Sequence, residues 1–424
     1  MRTFLALWLA VQAVAAGDAS RIVAVGDVHG GVAGLTTILR EAALIDEQGH
    51  WNGGAATLIQ LGDLMDRGSD VRDVLDLVMR LQVEASRQGG EVLCLLGNHE
   101  AMNLLGIARD VNPDSFEAFV DERSEKRRRD AFKAAKVRWK KWLHHLGLQR
   151  MQTGQEARDL WFEAHPLGKL EYLQALGAHS KYGEWLRSLP AVAVRSETLF
   201  VHGGLEPDLA GVALDDINRK IRNEIRRFDA FRDLLAGHDL LASTASISEV
   251  VMIGNAVLRS AEAEDGPRSD LVARLADELK GLTEIEAWDL VRADGPLWFR
   301  GWAKWDEGEN GDAIAAVVDA AGVQRMVIGH TVQHTGLINS RFGGRVLAID
   351  TGMLSSVYRG GRPSALQIDQ GGVLALYPGE RSRLLNGAWV PVRAEATSDV
   401  VRIPVPPGRR MPSQTPVQDQ GGLP

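Results

Sequence analysis

Between residues 20 and 100 one hydrophobic pattern is repeated along the chain. The apolar run Ile22–Val25 reads as a buried strand, and the stretch after it places Leu35, Ile38, Leu39 and Ala42 on one helical face. "AATLIQLGD" reads as a second strand, followed by Val71, Val74, Leu75, Val78 and Leu81 at helical spacing. Ser69 is the expected N-cap of that helix, and Gly89-Gly90 its end. "EVLCLLGN" closes the series. Near-continuous apolar strands separated by amphipathic helices predict a βαβαβ unit with parallel pairing. In such sheets the chemistry gathers at the carboxyl ends of the strands. All three strands end in glycine and a polar residue: Gly26-Asp27, Gly62-Asp63 and Gly97-Asn98.

From about 108 to 190 the pattern turns helical and wetter. Residues 121–150 carry 11 Lys or Arg against 4 Asp or Glu, with Phe132, Trp139, Leu143 and Leu146 as an apolar face. The expected reading is an amphipathic helix with a solvated basic side; the other is a cap that draws in an anionic substrate. His144, His145 and His165 read as surface or structural residues. "AVAVRSETLFVHGG" reads as two short strands around a polar turn, and residues 205–292 are mostly helical. Strands return at "VQRMVIGH", "RVLAIDTG", "SALQID" and "VLALYPG", the last two joined by a hairpin turn at 370–372. Six prolines in the mostly polar 401–424 segment predict a disordered tail.

Composition narrows the classes. A hydrophobic share of 45% over 424 residues supplies a sizeable core, and the net charge of -8 argues against nucleic acid as a partner. The single cysteine, Cys94, excludes an internal disulfide and sits in an apolar run, where it reads as a small buried hydrophobe. At the N-terminus a basic Arg2, an apolar run from Phe4 to Ala16 and small residues have the layout of a secretory signal peptide over residues 1–16. That run is shorter than the ~20 residues needed to span a bilayer, and no later stretch reads as transmembrane. The expectation is an exported protein, periplasmic or secreted, without stable membrane insertion. Its one catalytic domain would span 20–400, with helical insertions near 108–190 and 205–292.

The polar residues at the strand ends form a series: Asp27 and His29 in "GDVHG", Asp63, Asp66 and Arg67 in "GDLMDRG", Asn98 and His99 in "GNHE", His202 in "HGG", and His330 in "GHT". Singly these are weak signals. In this order the set resembles the calcineurin-like metallophosphoesterases, and among them the PPP-type protein phosphatases. "DGPLWFRG" (294–301) and the compact "GHT" are most similar to the bacterial Shewanella-like branch. The resemblance implies an α/β fold of two packed mixed β-sheets flanked by helices, with helical insertions.

It also implies two divalent metal ions. Asp27, His29 and Asp63 would hold the first, Asp63 would bridge, and Asn98, His202 and His330 would complete the second. Carboxylate and imidazole donors suit Mn, Fe or Zn. A hydroxide bridging two metals can attack phosphorus without a phospho-enzyme. His99 would be the general acid, Asp66 would orient it, and Arg67 and Arg300 would clamp the phosphate oxygens.

The substrate expected from this set is a phosphorylated protein or a small phosphate ester. A diadenosine tetraphosphate hydrolase ranks below it, because such enzymes usually lack the "DRG" aspartate and read "GNHD"; this chain has Asp66 and Glu100. A decayed, non-catalytic phosphoprotein-binding module should have lost a ligand or the acid, and none is missing. Asp66-Arg67 could also be a plain ion pair. His334 reads as an outer or surface residue, Asp350 stays unassigned, and Trp298, Trp302 and Trp305 read as core. The metal, the natural substrate and the oligomeric state are left open.

Overall fold

Along β1 (Ile22–Val25) successive side chains part to opposite faces, as a strand requires. Ile22 and Ala24 enter one core cluster, Val23 and Val25 another. The same division runs through β2 (Thr57–Gln60), where Ile59 and Leu58 separate, and through β3 (Glu91–Cys94). The computed structural model describes residues 21–146, 154–262 and 270–392; the expected signal peptide and the proline-rich tail lie outside them.

β1, β2 and β3 pair in parallel through α1 (Val32–Glu41) and α2 (Val71–Arg87), as expected. The short α3 (Asn98–Leu104) follows β3, and α4 (Asp114–Glu117), α5 (Ser124–Leu146), α6 (Gln155–Ala164), α7 (Lys169–Ala175) and α8 (Lys181–Ser188) form the helical insertion. β4 (Val192–Arg195) and β5 (Thr198–Val201) are the two strands around the polar turn. Then come α9 (Leu214–Gly237), α10 (Ile247–Glu262), α11 (Asp270–Glu278), α12 (Gly301–Lys304) and α13 (Glu307–Ala320). The chain ends in β6 (Arg325–Ile328), β7 (Asn339–Arg341), β8 (Val346–Ala348), β9 (Ala365–Asp369), β10 (Gly372–Tyr377), β11 (Glu380–Leu385) and β12 (Ala388–Pro391).

Two mixed sheets result. One has the order β12-β11-β10-β9-β1-β2-β3, the other β4-β5-β6-β8-β7. β5, β6 and β8 are parallel to one another, so each sheet carries three adjacent parallel strands. Ile22, Ala24, Ile59 and Leu95 of the first sheet share an apolar cluster with Phe200, Val327, Leu347 and Ile349 of the second. Helices cover the outer faces: Leu35, Ile38 and Leu39 of α1 and Ile314, Val317 and Val318 of α13 lie in the other cluster. This is the expected pair of packed sheets flanked by helices.

Two features depart from the sequence reading. Ser69 does not cap α2: Asp70 holds the cap position, no side chain caps the helix, and Ser69 Oγ donates to Asp70 Oδ1 at 3.0 Å. β7, β11 and β12 were not anticipated. β7 and β12 are edge strands and β11 lies between β12 and β10; their residues are part-buried or exposed, so they lack the apolar alternation that reveals a strand.

The basic helix α5 is laced by acids. Lys126, Arg129 and Lys133 pair with Glu125 or Asp130 within the helix, and Lys141 with Asp239. Its Trp142 is buried and donates to Leu240 O. This geometry is that of a solvated basic face. His165 is structural, its ring stacked on Trp161 at 3.9 Å. Among the described residues no helix is long and apolar enough to cross a membrane.

Trp302 is fully buried, donates from Nε1 to Leu205 O at 2.6 Å and meets Phe299, Trp305 and Phe342 edge to face. Trp302→Ala should lower the unfolding free energy by about 3–5 kcal/mol, read from urea melts of the full chain.

Candidate metal centre

Each of the six parallel strands ends in a buried polar residue, and the contacts bring these ends together. β1 delivers Asp27, β2 Asp63, β3 Asn98 and His99, β5 His202, β6 His330 and β8 Asp350. Bonds cross between the sheets: His330 N–H donates to Asp27 Oδ1 at 3.0 Å, and His202 Nδ1–H to Leu61 O at 2.9 Å.

The loops that carry these residues have an unusual backbone. His29, Asp63, Asp66, Arg67 and His330 all have φ between +50 and +69°. Side chains with a Cβ avoid this region, at a cost of order 1 kcal/mol or more each. Glu100 is one reason it persists. Its buried carboxylate accepts the N–H groups of Asp63 (2.7 Å), Leu64 (2.8 Å), Met65 (3.1 Å) and Gly97 (2.9 Å). Glycine is required at 97, because a Cβ there would lie 2.3 Å from Asp63 N. Burial and the nearby Asp63 push the Glu100 carboxyl up to about 7, while the four amides favour the ionised form.

Three histidines are oriented alike. His29 Nδ1 lies 2.9 Å from Met65 O, His202 Nδ1 2.9 Å from Leu61 O, and His330 Nε2 3.1 Å from Trp298 O. A carbonyl only accepts, so each ring donates there and turns its other nitrogen inward, the arrangement metal-ligating histidines use. Asp63 stands between two clusters. It gathers with His29 and His99 on one side and with His202 and His330 on the other, all donor atoms of each group lying within 4.8 Å of one another. Asp27 Oδ2 is 3.8 Å from His29 Nε2, and Asn98 Oδ1 is 2.9 Å from His202 Nε2.

The electrostatics call for positive charge. Burial, with Asp350 and Asp63 alongside, raises the Asp27 carboxyl well above its ordinary range, and burial lifts Asp350 to about 6. Asp350 Oδ2 is buried and accepts no hydrogen bond. Burial works against the charge of Asp63, but His202 and His99 outweigh it and hold that carboxyl well below its usual value. Burial drives His29 down to about 3 and, with His202 and Arg300, His330 down to about 2. His202 goes the other way: burial opposes its charge, but Asp63 and then Asp27 lift it to about 9. Buried carboxylates and imidazoles converging on one point fit divalent cations.

His99 borders this cluster with its other nitrogen engaged. Nδ1–H donates to Asp66 Oδ2 at 2.6 Å, and Nε2 lies 3.8 Å from Asp63 Oδ2. Burial opposes its charge, but Asp63 and Asp66 raise the ring above its ordinary value. Asp66 therefore does not make a plain ion pair with Arg67; its second oxygen accepts from Asn103. Arg67 reaches His29 Nε2 and the Tyr358 hydroxyl. Arg300 is half-buried and anchored by Nη1 to His330 O at 2.7 Å, with Asp27 and Asp350 among the charges it feels.

All ten residues singled out from the sequence thus meet at or beside one cluster. His334 is exposed, and Trp298 borders the cluster through its carbonyl. The sequence reading missed the roles of Glu100, Asn103, Tyr358 and Asp350. Asp350 repeats the signal of the others, since it closes an apolar strand just before Thr-Gly.

Residues 20–267 match the family model of the calcineurin-like phosphoesterases. The chain belongs to that family. As a calcineurin-like phosphoesterase it is a hydrolase of phosphate esters that depends on divalent metal. It is 27% identical over 231 residues to Shewanella-like protein phosphatase 1 of Plasmodium berghei, 53% of this chain and only 52% of that one. It is 26% identical over 364 residues to Shewanella-like protein phosphatase 2 of Arabidopsis thaliana, 82% of this chain and 75% of that one. Its fold is similar to that of the cold-active protein-tyrosine phosphatase of a psychrophilic Shewanella species. The TM-score is 0.53 and the identity 23%, over 86% of this chain and 80% of the other.

Two measurements probe this phosphoesterase's site. Without metal, His202 keeps its proton up to about 9, and a ligating imidazole must lose it. Metal uptake at neutral pH should therefore release a proton, and the release should fade as pH rises through about 9. Calorimetry in two buffers of different ionisation enthalpy reads this directly. Glu100→Gln turns an amide NH₂ toward the backbone donors and should weaken manganese binding at least ~10-fold, in line with losses seen when ligand-supporting groups are removed; metal titration of the folded variant checks it.

Proposed function

We propose that the chain is a metal-dependent protein phosphatase, hydrolysing phosphate monoesters on protein side chains and, as further substrates, small phosphate esters. The observation that carries the reading is the His99–Asp66 pair, bonded at 2.6 Å beside the donor cluster. The names of the relatives support the same substrate class.

Asp27, His29 and Asp63 would hold one ion, and Asp63, Asn98, His202 and His330 the other, with Mn, Fe or Zn suited to these donors. Two such ions would supply Lewis-acid polarisation of the phosphoryl group and an activated water as nucleophile. Each set is complete without His99, which leaves His99 free for proton transfer. Asp66 holds its Nδ1–H and, with Asp63, favours the imidazolium, whose Nε2–H lies on the side of the donor cluster. The ester oxygen leaves with that proton as its bond to phosphorus breaks, and the proton lost by the attacking water restores the imidazolium over the cycle. Arg67 and Arg300 offer guanidinium donors to the phosphoryl oxygens from the rim.

The engagement of Asp66 with His99 favours this reading over a dinucleotide hydrolase or a binding module. The basic Arg2 and the apolar run to Ala16 support export to a periplasm or the medium; N-terminal sequencing of the protein recovered there tests it.

The reading is tested on the metal-free chain with manganese restored. Phosphotyrosine and phosphoserine peptides should be hydrolysed only with metal; turnover of diadenosine tetraphosphate alone would overturn the proposal. His99→Asn should lower peptide turnover ~10²–10⁴-fold, the usual worth of a general acid. It should spare dinitrophenyl phosphate, whose leaving group needs no proton.

A further inference from the structure

Asn103 lies one helical turn after His99 on α3, and Tyr172 projects from α7 of the helical insertion. The Tyr172 hydroxyl donates to Asn103 Oδ1 at 2.6 Å. Asn103 Nδ2 donates to Asp66 Oδ1 at 2.7 Å and to the His99 carbonyl at 2.9 Å. Asp66 Oδ2 accepts from His99 Nδ1 at 2.6 Å. All four residues are buried.

Chemistry fixes the direction of this chain. A carboxylate and a carbonyl only accept, so the amide nitrogen of Asn103 must face them. Its oxygen must then meet a donor, and the tyrosine hydroxyl is one. Burial, reinforced by Asp66 and Glu100, holds the Tyr172 phenol well above its usual range, so the hydroxyl keeps its proton.

The tyrosine is firmly seated. Gly168, at φ +82°, lets α7 press against α4: a Cβ there would lie 2.0 Å from Phe116 O. Phe116 and Phe119 meet the Tyr172 ring edge-on, each at 5.3 Å. The same insertion grips the backbone of the Asp66-Arg67 turn. Arg67 N–H donates to Asp110 O at 2.9 Å, Asn112 Nδ2 to Arg67 O at 3.1 Å, and Ser115 Oγ to Gly68 O at 3.0 Å.

We propose that Tyr172 and Asn103 form a positioning relay, by which the helical insertion fixes the Asp66 carboxylate and, through it, the ring of the general acid His99. The inference rests on the proposed role of His99. Without Asn103, Asp66 Oδ1 is a buried anionic oxygen lacking its donor, and the carboxylate is free to turn. The direction of the His99 Nε2–H then varies. Reactions whose leaving group must be protonated suffer, and those whose leaving group needs no proton do not.

The full manganese-loaded chain is assayed on phenyl phosphate, a poor leaving group, and on dinitrophenyl phosphate, a good one. Tyr172→Phe keeps the ring and removes one hydroxyl. It should lower kcat on phenyl phosphate about 3–10-fold, the worth of one hydrogen bond. KM, manganese content and turnover of dinitrophenyl phosphate should stay within twofold. Asn103→Ala should lower the phenyl phosphate rate about 10–100-fold, as loss of a bond to a charged group does, and adding Tyr172→Phe to it should change nothing further.

Equal losses on both substrates, additive losses in the double variant, or no loss in either single variant would overturn the relay. His99→Asn serves as the reference. If it fails to separate the two substrates, the acid assignment itself is wrong. If it separates them and Tyr172→Phe does not, only the relay is wrong.

Discussion

The centre depends on one buried carboxylate. Glu100 takes amide bonds from the end of β3 and from three successive residues after β2. An ionised group so far from water is tolerable only with its oxygens fully satisfied, and here the donors are main chain, which cannot rotate away. The bond network sets Asp63 in a left-handed conformation that its sequence alone would avoid. Asp63 is the residue both donor clusters share, so the separation of the two clusters follows from where Glu100 holds it. The bonds from His330 to Asp27 and from His202 to Leu61 then lock one sheet against the other at the same depth.

Charge is divided between a buried centre and its edge. The acidic groups Asp27, Asp63, Asp350 and Glu100 are all buried. His29, His202 and His330, equally buried among them, are each held by a backbone carbonyl, and His99 by the Asp66 carboxylate. Arg67 and Arg300 stand at the edge, less buried than the ligands and each tied to a group of the centre. In the proposed function a cation would be held by the buried acids and a phosphoryl group met by the arginines at the edge. The strain in five left-handed residues is borne at this point and offset by the packing of the two sheets behind it.

Much of this was legible in the sequence because parallel strands announce themselves. Ile22–Val25, the run before Gly62 and the run before Gly97 are apolar on both faces, and a polar residue that follows such a run stands at the ligand-facing edge. Asp27, Asp63, Asn98, His202 and His330 were found this way. Asp350 obeys the same rule and was left aside only because no motif covers it. Asn103 and Tyr172 gave no signal: their partners lie in distant segments, and a tyrosine amid helical residues reads as packing. β11 and β12 were hidden because their residues face solvent, so pairing rather than burial makes them strands. Ser69 was the right type for a cap, but its hydroxyl turned to Asp70 instead.

Cys94 closes β3 with no exposure to solvent, and burial pushes its thiol far above the ordinary range. It is the one sulfhydryl of the chain. The proposed reaction asks nothing of it, and its burial should keep it from alkylating reagents and peroxide in the folded state. Phosphatases built around a cysteine can be silenced by oxidation of that sulfur. This chain therefore offers oxidants no accessible cysteine at which a phosphatase could be silenced in that way.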